Sequence, residues 1–130
     1  MSVETLLCAI DLSPFSVQVV DYALVLFSKV GKKLYLLHSV AKESEVPIAE
    51  QQLQEFLSWV KERGFEEVEG LVTVGAPAEE ISRYAEELKA DLIVMGTRGL
   101  VSSETSIIST AQKVITLVHI PILIVPTPLK

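Results

Sequence analysis

Asp11 stands where a short apolar run, Leu6-Leu7-Cys8-Ala9-Ile10, gives way to Leu-Ser-Pro. A carboxylate there can accept hydrogen bonds from a ligand hydroxyl or amine. Equally, Asp11 or Ser13 can cap the amides of a following helix, and position alone does not separate these roles. A second group follows the run Leu92-Ile93-Val94-Met95. It consists of Gly96-Thr97-Arg98-Gly99, a polar loop, and then Ser109-Thr110-Ala111 at the start of an amphipathic stretch. Glycines let backbone approach an anion closely, and unpaired amides at a helix N-terminus favour negative charge. Strand, glycine loop and helix in that order can cradle a phosphate. The segment is not a P-loop, because no Gly-Lys-Ser/Thr follows, and it is not a Gly-x-Gly-x-x-Gly fingerprint after a first strand. Ser109 occupies the place of a third glycine just before the helix. Its hydroxyl could donate to a phosphate oxygen, but as a favoured N-cap it would also occupy amides that an anion needs. The intervening loop carries Glu104 and no lysine, so Arg98 is the one nearby positive charge.

The remaining reactive side chains read as structural. His38 and His119 lie far apart and lack metal-like partners. Cys8 is flanked by apolar residues and reads as a buried, inert thiol. It is the only cysteine, so neither an internal disulfide nor a cysteine-based metal cluster is possible. Trp59 falls off the main apolar stripe of its helix, where it would cover a helix edge or touch a partner. No Ser-His-Asp or Cys-His arrangement emerges. A phosphoacceptor role for Asp11, as in response-regulator receivers, would want an acidic pair after the first strand and a lysine near the end of the fifth. The chain offers one aspartate and Pro126-Thr127-Pro128 instead.

Two alternating periodicities must position these residues. Leu6–Ile10, Leu34–Leu37, Leu71–Val74, Leu92–Met95 and Ile122–Val125 are continuous apolar runs. Strands apolar on both faces belong to a parallel sheet covered on both faces. Between them the period becomes helical: Val20, Ala23, Leu24 and Phe27; Leu53, Phe56, Leu57 and Val60; Ile81, Tyr84, Ala85 and Leu88; Ala111, Val114, Ile115 and Val118. The first helix reads as Pro14 to Val30, with Ser13 as N-cap and Gly31 just past its end. Gly64 ends the second, and Pro77 opens the third with Glu79 and Glu80 in its first turn. Ala41 to Pro47, polar and acidic, reads as the one mobile link. Right-handed crossovers wind β-α-β-α-β-α-β-α-β into a doubly wound α/β sheet with helices on both faces. Ligands in such folds sit beyond the carboxyl ends of the strands, where the winding reverses. Asp11, His38-Ser39-Val40 and Gly96–Gly99 would then share one crevice.

Composition narrows the function. The 130 residues suit a single domain, 1–130, and 49% are apolar, enough for a substantial core. A formal charge of −6 with scattered Lys and Arg argues against a nucleic-acid surface. No apolar run approaches the roughly 20 residues that span a bilayer, and Met1 to Ile10 does not read as a secretory leader. A cytoplasmic protein without membrane or nucleic-acid partners is the expectation.

Taken together, "LLCAIDLSPFS", "LYLLHSV", "VGAPAEEISRYAEELKADLIVMGTRGL" and "VHIPILIVP" resemble the universal stress protein family along essentially the whole chain. The resemblance implies the strand order 3-2-1-4-5 and an adenine-nucleotide crevice. In nucleotide-binding members the loop runs Gly, two residues, Gly, nine residues, Gly, then Ser or Thr. Here Gly96 and Gly99 match the first two glycines, residues 100–108 fill the gap, Ser109 replaces the third glycine and Thr110 matches the hydroxyl residue. By the same resemblance Ala9, Ile10 and Asp11 would face the adenosine end, and the backbone near Ser39, where valine is usual, would face the base. Gly96, Gly99, Ser109, Thr110 and Ala111 would line the phosphates. The implied ligand is ATP or AMP, with or without a divalent cation, in a cradle impaired by Ser109. The implied role is a cytoplasmic stress-response module. Its rivals are a nucleotide-free interaction module of the same fold and a slow ATP-hydrolysing enzyme, for which no general base can be named. The family commonly dimerises along the last strand, and Ile122 to Val125 would be an uncharged, β-branched edge open to pairing.

Overall fold

The computed structural model describes residues 3–29, 33–96 and 104–126. The elements alternate throughout: β1 (Thr5–Ala9), α1 (Ser16–Lys29), β2 (Lys33–Val40), α2 (Val46–Glu62), β3 (Val68–Val74), α3 (Pro77–Glu87), β4 (Leu92–Gly96), α4 (Glu104–Leu117) and β5 (Ile122–Val125). All strand pairings are parallel and the order is β3-β2-β1-β4-β5, as expected. The central strand β1 pairs Ala9 with Leu37 on one side and with Met95 on the other.

The two-faced apolar runs serve two cores. Leu6, Cys8, Ile10, Leu34, Leu36 and Val94 meet Val20, Leu24 and Phe27 of α1 and Leu53, Leu57 and Val60 of α2. Leu7, Ala9, Leu37, Ile93 and Met95 meet Ala78, Ile81 and Ala85 of α3 and Ala111 and Val114 of α4. Neighbouring side chains on a strand point to opposite faces, so an uninterrupted apolar run feeds both layers at once. At the amino end of the sheet, Asp91 Oδ2 accepts the Glu4 and Thr5 amides at 3.0 and 3.1 Å, which locks the start of β4 against β1.

Three expected boundaries are corrected. Helix α1 begins at Ser16, not Pro14, because Asp11 captures the Ser13 amide and residues 13–18 run in tight turns. The Ser16 amide bonds the Ser13 carbonyl at 2.9 Å and the Gln18 amide bonds the Phe15 carbonyl at 3.1 Å. Val30 and Gly31, the expected end of that helix, lie outside the described residues. Ala41 to Pro47 is not a free link. Glu43–Glu45 forms a 3-10 turn that runs into α2, closed by the Lys42 amide on Glu45 Oε1 at 2.9 Å and the Glu45 amide on the Lys42 carbonyl at 3.0 Å. Helix α4 starts at Glu104, well before Ser109. That polar segment contains neither glycine nor proline, and propensity is a weak prior that context overrides.

Candidate functional site

The winding reverses between β1 and β4. The chain leaves β1 through α1 toward β2 and leaves β4 through α4 toward β5, and doubly wound folds place a ligand crevice beyond the carboxyl ends of the strands at such a reversal. On its β1 wall, Ala9 and Ile10 are each 2% exposed, so their side chains belong to the two cores and only their backbone can face a ligand. The Ile10 amide is bonded to the Leu37 carbonyl at 2.9 Å. The Ile10 carbonyl accepts His38 Nδ1–H at 3.0 Å. A carbonyl only accepts, so Nδ1 carries the proton of this bond. His38 is thus a strand-to-strand strut.

Asp11 is drawn into its own turn. Its Oδ1 accepts the Ser13 amide and the Ser16 hydroxyl, each at 2.9 Å, while the Asp11 amide points to Ser16 Oγ at 3.3 Å. Ser16 is 2% exposed. Between them Leu12 adopts φ +66°, a left-handed conformation that costs a non-glycine residue about 1–2 kcal/mol. Side-chain bonding within the turn and partial burial of Leu12 against the first core hold that conformation. Ser13 Oγ is buried without a hydrogen-bond partner, so Ser13 is not the helix cap its sequence position suggests. Asp11 therefore closes a turn ahead of α1 rather than capping the helix amides, and it does so through one carboxylate oxygen.

On the β4 wall Gly96 is buried and pairs with Val125. Arg98 and Gly99 lie outside the described residues. The start of α4 at Glu104 overturns the reading of Ser109 as an N-cap. Only the first four amides of a helix lack internal partners, and here they belong to residues 104–107, so Ser109 and Thr110 lie beyond that turn. Ala111 is 8% exposed and packs into the core beneath α3 and α4. Ser39, half-buried, lies in register with Thr73 of β3.

That register leads to a cluster that sequence reasoning missed. Thr73 is 6% exposed, and its hydroxyl donates to Glu80 Oε1. Arg83 Nη2 reaches the same Glu80 oxygen at 2.6 Å and Thr73 Oγ1 at 3.2 Å, and Arg83 Nη1 holds Glu87 at 3.0 Å. The Arg83 hydrogen bond, with a smaller contribution from Thr73, holds the Glu80 carboxyl below the usual carboxylate range, against the opposing effect of burial. Gly75 makes room: a Cβ there would lie 2.7 Å from Glu80 Oε2. The available signal was Thr73 and Glu80 flanking Gly75 and Pro77, polar residues at a strand end and in a helix's first turn. A separate recess of about 540 Å³ lies between α3 and α4, with Glu79 and Lys113 on its walls and 3.2 Å apart. It contains none of the candidate residues. Volume alone is a weaker guide than the reversal of winding, so the strand-end crevice is the candidate site. Among the described residues, no three His, Cys, Asp or Glu side chains are gathered as metal ligands. No described helix is long and apolar enough to cross a membrane.

Comparison with known proteins agrees with this architecture. The family model described as the universal stress protein family matches residues 2–126. A universal stress protein of Methanocaldococcus jannaschii is 49% identical over 57 residues, which cover 43% of this chain and 34% of that protein, so the match spans about a third of the relative's length. A crystal structure of a universal stress protein in complex with cAMP superposes with a TM-score of 0.78 at 27% identity, covering 96% of this chain and 98% of that one. A universal stress protein from Archaeoglobus fulgidus in complex with dAMP superposes at 0.75 with 23% identity, covering 95% and 98%, and supports the fold alone.

Proposed function

Because the chain belongs to the universal stress protein family, we propose that the crevice at the carboxyl ends of β1, β2 and β4 binds an adenine nucleotide, ATP or AMP, weakly. On this reading the protein is a cytoplasmic stress-response module, not an enzyme. The observation that carries the reading is the reversal of winding between β1 and β4, bounded by Asp11. The cAMP complex of a relative at 27% identity adds weight. The residues present fit such a ligand in part. Asp11 Oδ2 is the oxygen that a ribose hydroxyl would use, since Oδ1 serves the turn. The β2 end near Ser39 would meet the base. Phosphates would lie toward Gly96, Arg98, Gly99, Ser109 and Thr110, as the family resemblance implies. A divalent cation would enter on the nucleotide's own phosphate oxygens.

Weakness follows from two features. The Asp11 carboxylate is shared with its own turn, and Ser109 brings a Cβ where the family pattern has glycine. The first of these also favours a second reading, a nucleotide-free interaction module. Nucleotide extraction from purified protein, followed by calorimetric titration with ATP and AMP at low salt, tests both. Wild type is expected to bind weakly, Asp11→Ala and Thr110→Ala to bind less, and Ser109→Gly to bind more tightly. Ser109 lies inside α4, so that glycine should cost about 0.5 kcal/mol through helix propensity and not through a lost cap. Tight wild-type binding that Ser109→Gly leaves unchanged would refute impairment. No binding by any variant would favour the interaction module.

The same reading includes a homodimer joined along β5. That strand ends the sheet, Leu123 is 36% exposed, and Pro121 and Pro126 bound it. Ile124 packs on the second core, so Ile124→Lys would disturb the subunit itself, and Leu123→Lys is the cleaner probe. Light scattering should report a monomer for Leu123→Lys and a dimer for wild type. A dimer in both would place the interface elsewhere.

A further inference from the structure

We infer that the outer surface where α1 meets α2 holds a second ligand site, selective for small quaternary ammonium cations. It is independent of the nucleotide crevice. The site is an open recess of about 280 Å³ lined by Val17 of α1 and Glu55, Phe56 and Trp59 of α2. Phe56 and Trp59 stand nearly perpendicular, at 87° with centroids 6.2 Å apart, and so form two adjoining aromatic walls. Val17, 40% exposed, supplies an aliphatic side. Glu55 is exposed and has no ion-pair partner among the described residues, so its carboxylate stands at the edge without a cation.

An aromatic corner beside one carboxylate recognises a cation through the ring quadrupole and Coulomb attraction. Trp59 already engages a cation: Arg63 lies 4.7 Å from its ring centroid, tethered by Asp21 at 2.7 Å. Arg63 does not line the recess. The tether therefore fixes the indole while leaving the recess open. A methyl-clad ammonium suits these walls better than a primary one, because it surrenders little hydration to lie on apolar rings. One carboxylate balances one charge.

Trp59 is the only tryptophan, so its emission reports directly on the recess. Choline and tetramethylammonium should change it saturably at constant ionic strength, without nucleotide. The neutral isostere of choline, 3,3-dimethylbutan-1-ol, should bind roughly two- to thirtyfold more weakly, the range a cation–π contact supplies. Glu55→Gln and Phe56→Leu should each weaken choline; Glu55→Gln should leave the unfolding transition in place, whereas Phe56 packs on the first core and its replacement should lower that transition modestly. A linear, non-saturating response to choline would overturn the proposal. So would equal affinity for the neutral isostere, which would mark a merely apolar patch, or unchanged affinity in both variants. None of these outcomes bears on the nucleotide reading, which is tested at Asp11 and α4.

Discussion

Replacing Gly75 with alanine is expected to destabilise the protein by about 2–6 kcal/mol. Two effects contribute. Gly75 has φ +151°, and holding a side chain in so sparsely populated a region costs about 1–3 kcal/mol. The new Cβ would also lie 2.7 Å from Glu80 Oε2 and 2.9 Å from its Cδ and Cγ. Glu80 would have to swing away, stripping its partner from the hydroxyl of Thr73, which is 6% exposed. Thr73 would keep only the Arg83 Nη2 donor at 3.2 Å, and leaving its buried hydroxyl proton without an acceptor costs about 1–3 kcal/mol. Set against a typical total of about 5–15 kcal/mol, this is a large fraction. Urea unfolding followed by Trp59 emission and far-UV circular dichroism measures it. Glu80→Ala provides the internal control, since in that background the clash is gone and Gly75→Ala should retain only the backbone strain. Near-wild-type stability of Gly75→Ala, or an identical cost in both backgrounds, would refute the reasoning. The Gly75 amide also bonds the Val40 carbonyl at 2.9 Å. A destabilised but folded Gly75→Ala protein should therefore lose nucleotide affinity through the β2 wall.

Further outcomes follow from particular contacts. The Glu80 carboxyl titrates below its reference of 4.5 in the fold, chiefly through its hydrogen bond with Arg83. Its stabilisation is therefore present above that reference and lost as pH falls through the folded value, and Glu80→Gln should flatten the acid limb of stability measured below pH 4.5. Burial pushes the Cys8 thiol up to about 12, so thiol-exchange labelling at neutral pH should be negligible in native protein and should rise along the urea transition. Rapid native labelling would contradict that burial. Asp91→Ala should cost about 1.5–3 kcal/mol by losing charge-assisted bonds to two amides. Asp91 lies at the end of the sheet opposite the crevice, so calorimetry should find nucleotide affinity unchanged.

The architecture was legible because it rests on patterns that many residues repeat. Five short apolar runs separated by helical periods read as strands covered on both faces, which wind into a parallel sheet; the edge strands β3 and β5 are covered only in part. Leu6 and Leu7, adjacent in sequence, feed opposite cores, as strand geometry requires. Cys8 was likewise readable as buried from its neighbours alone. The strand order came from the motifs that the chain shares with a family, not from periodicity. The site was only partly legible. Asp11 was placed correctly at the strand end, but its commitment to the Ser13 amide and the Ser16 hydroxyl depends on the left-handed turn at Leu12, which leucine does not announce. The early start of α4 was hidden by serines and threonines that read as loop.

Contacts between residues on different elements were decided by tertiary structure. Thr73, Glu80 and Arg83 converge because α3 docks over the end of β3, and Gly75 matters because Glu80 passes beside it. Val17 meets Phe56 and Trp59 because α1 and α2 pack side by side on one face of the sheet. Local sequence specifies which face of each element is apolar, since that follows from a fixed rotation per residue. Which polar residues meet at the ends and seams of those elements depends on register and layer packing, which are set by the whole core at once.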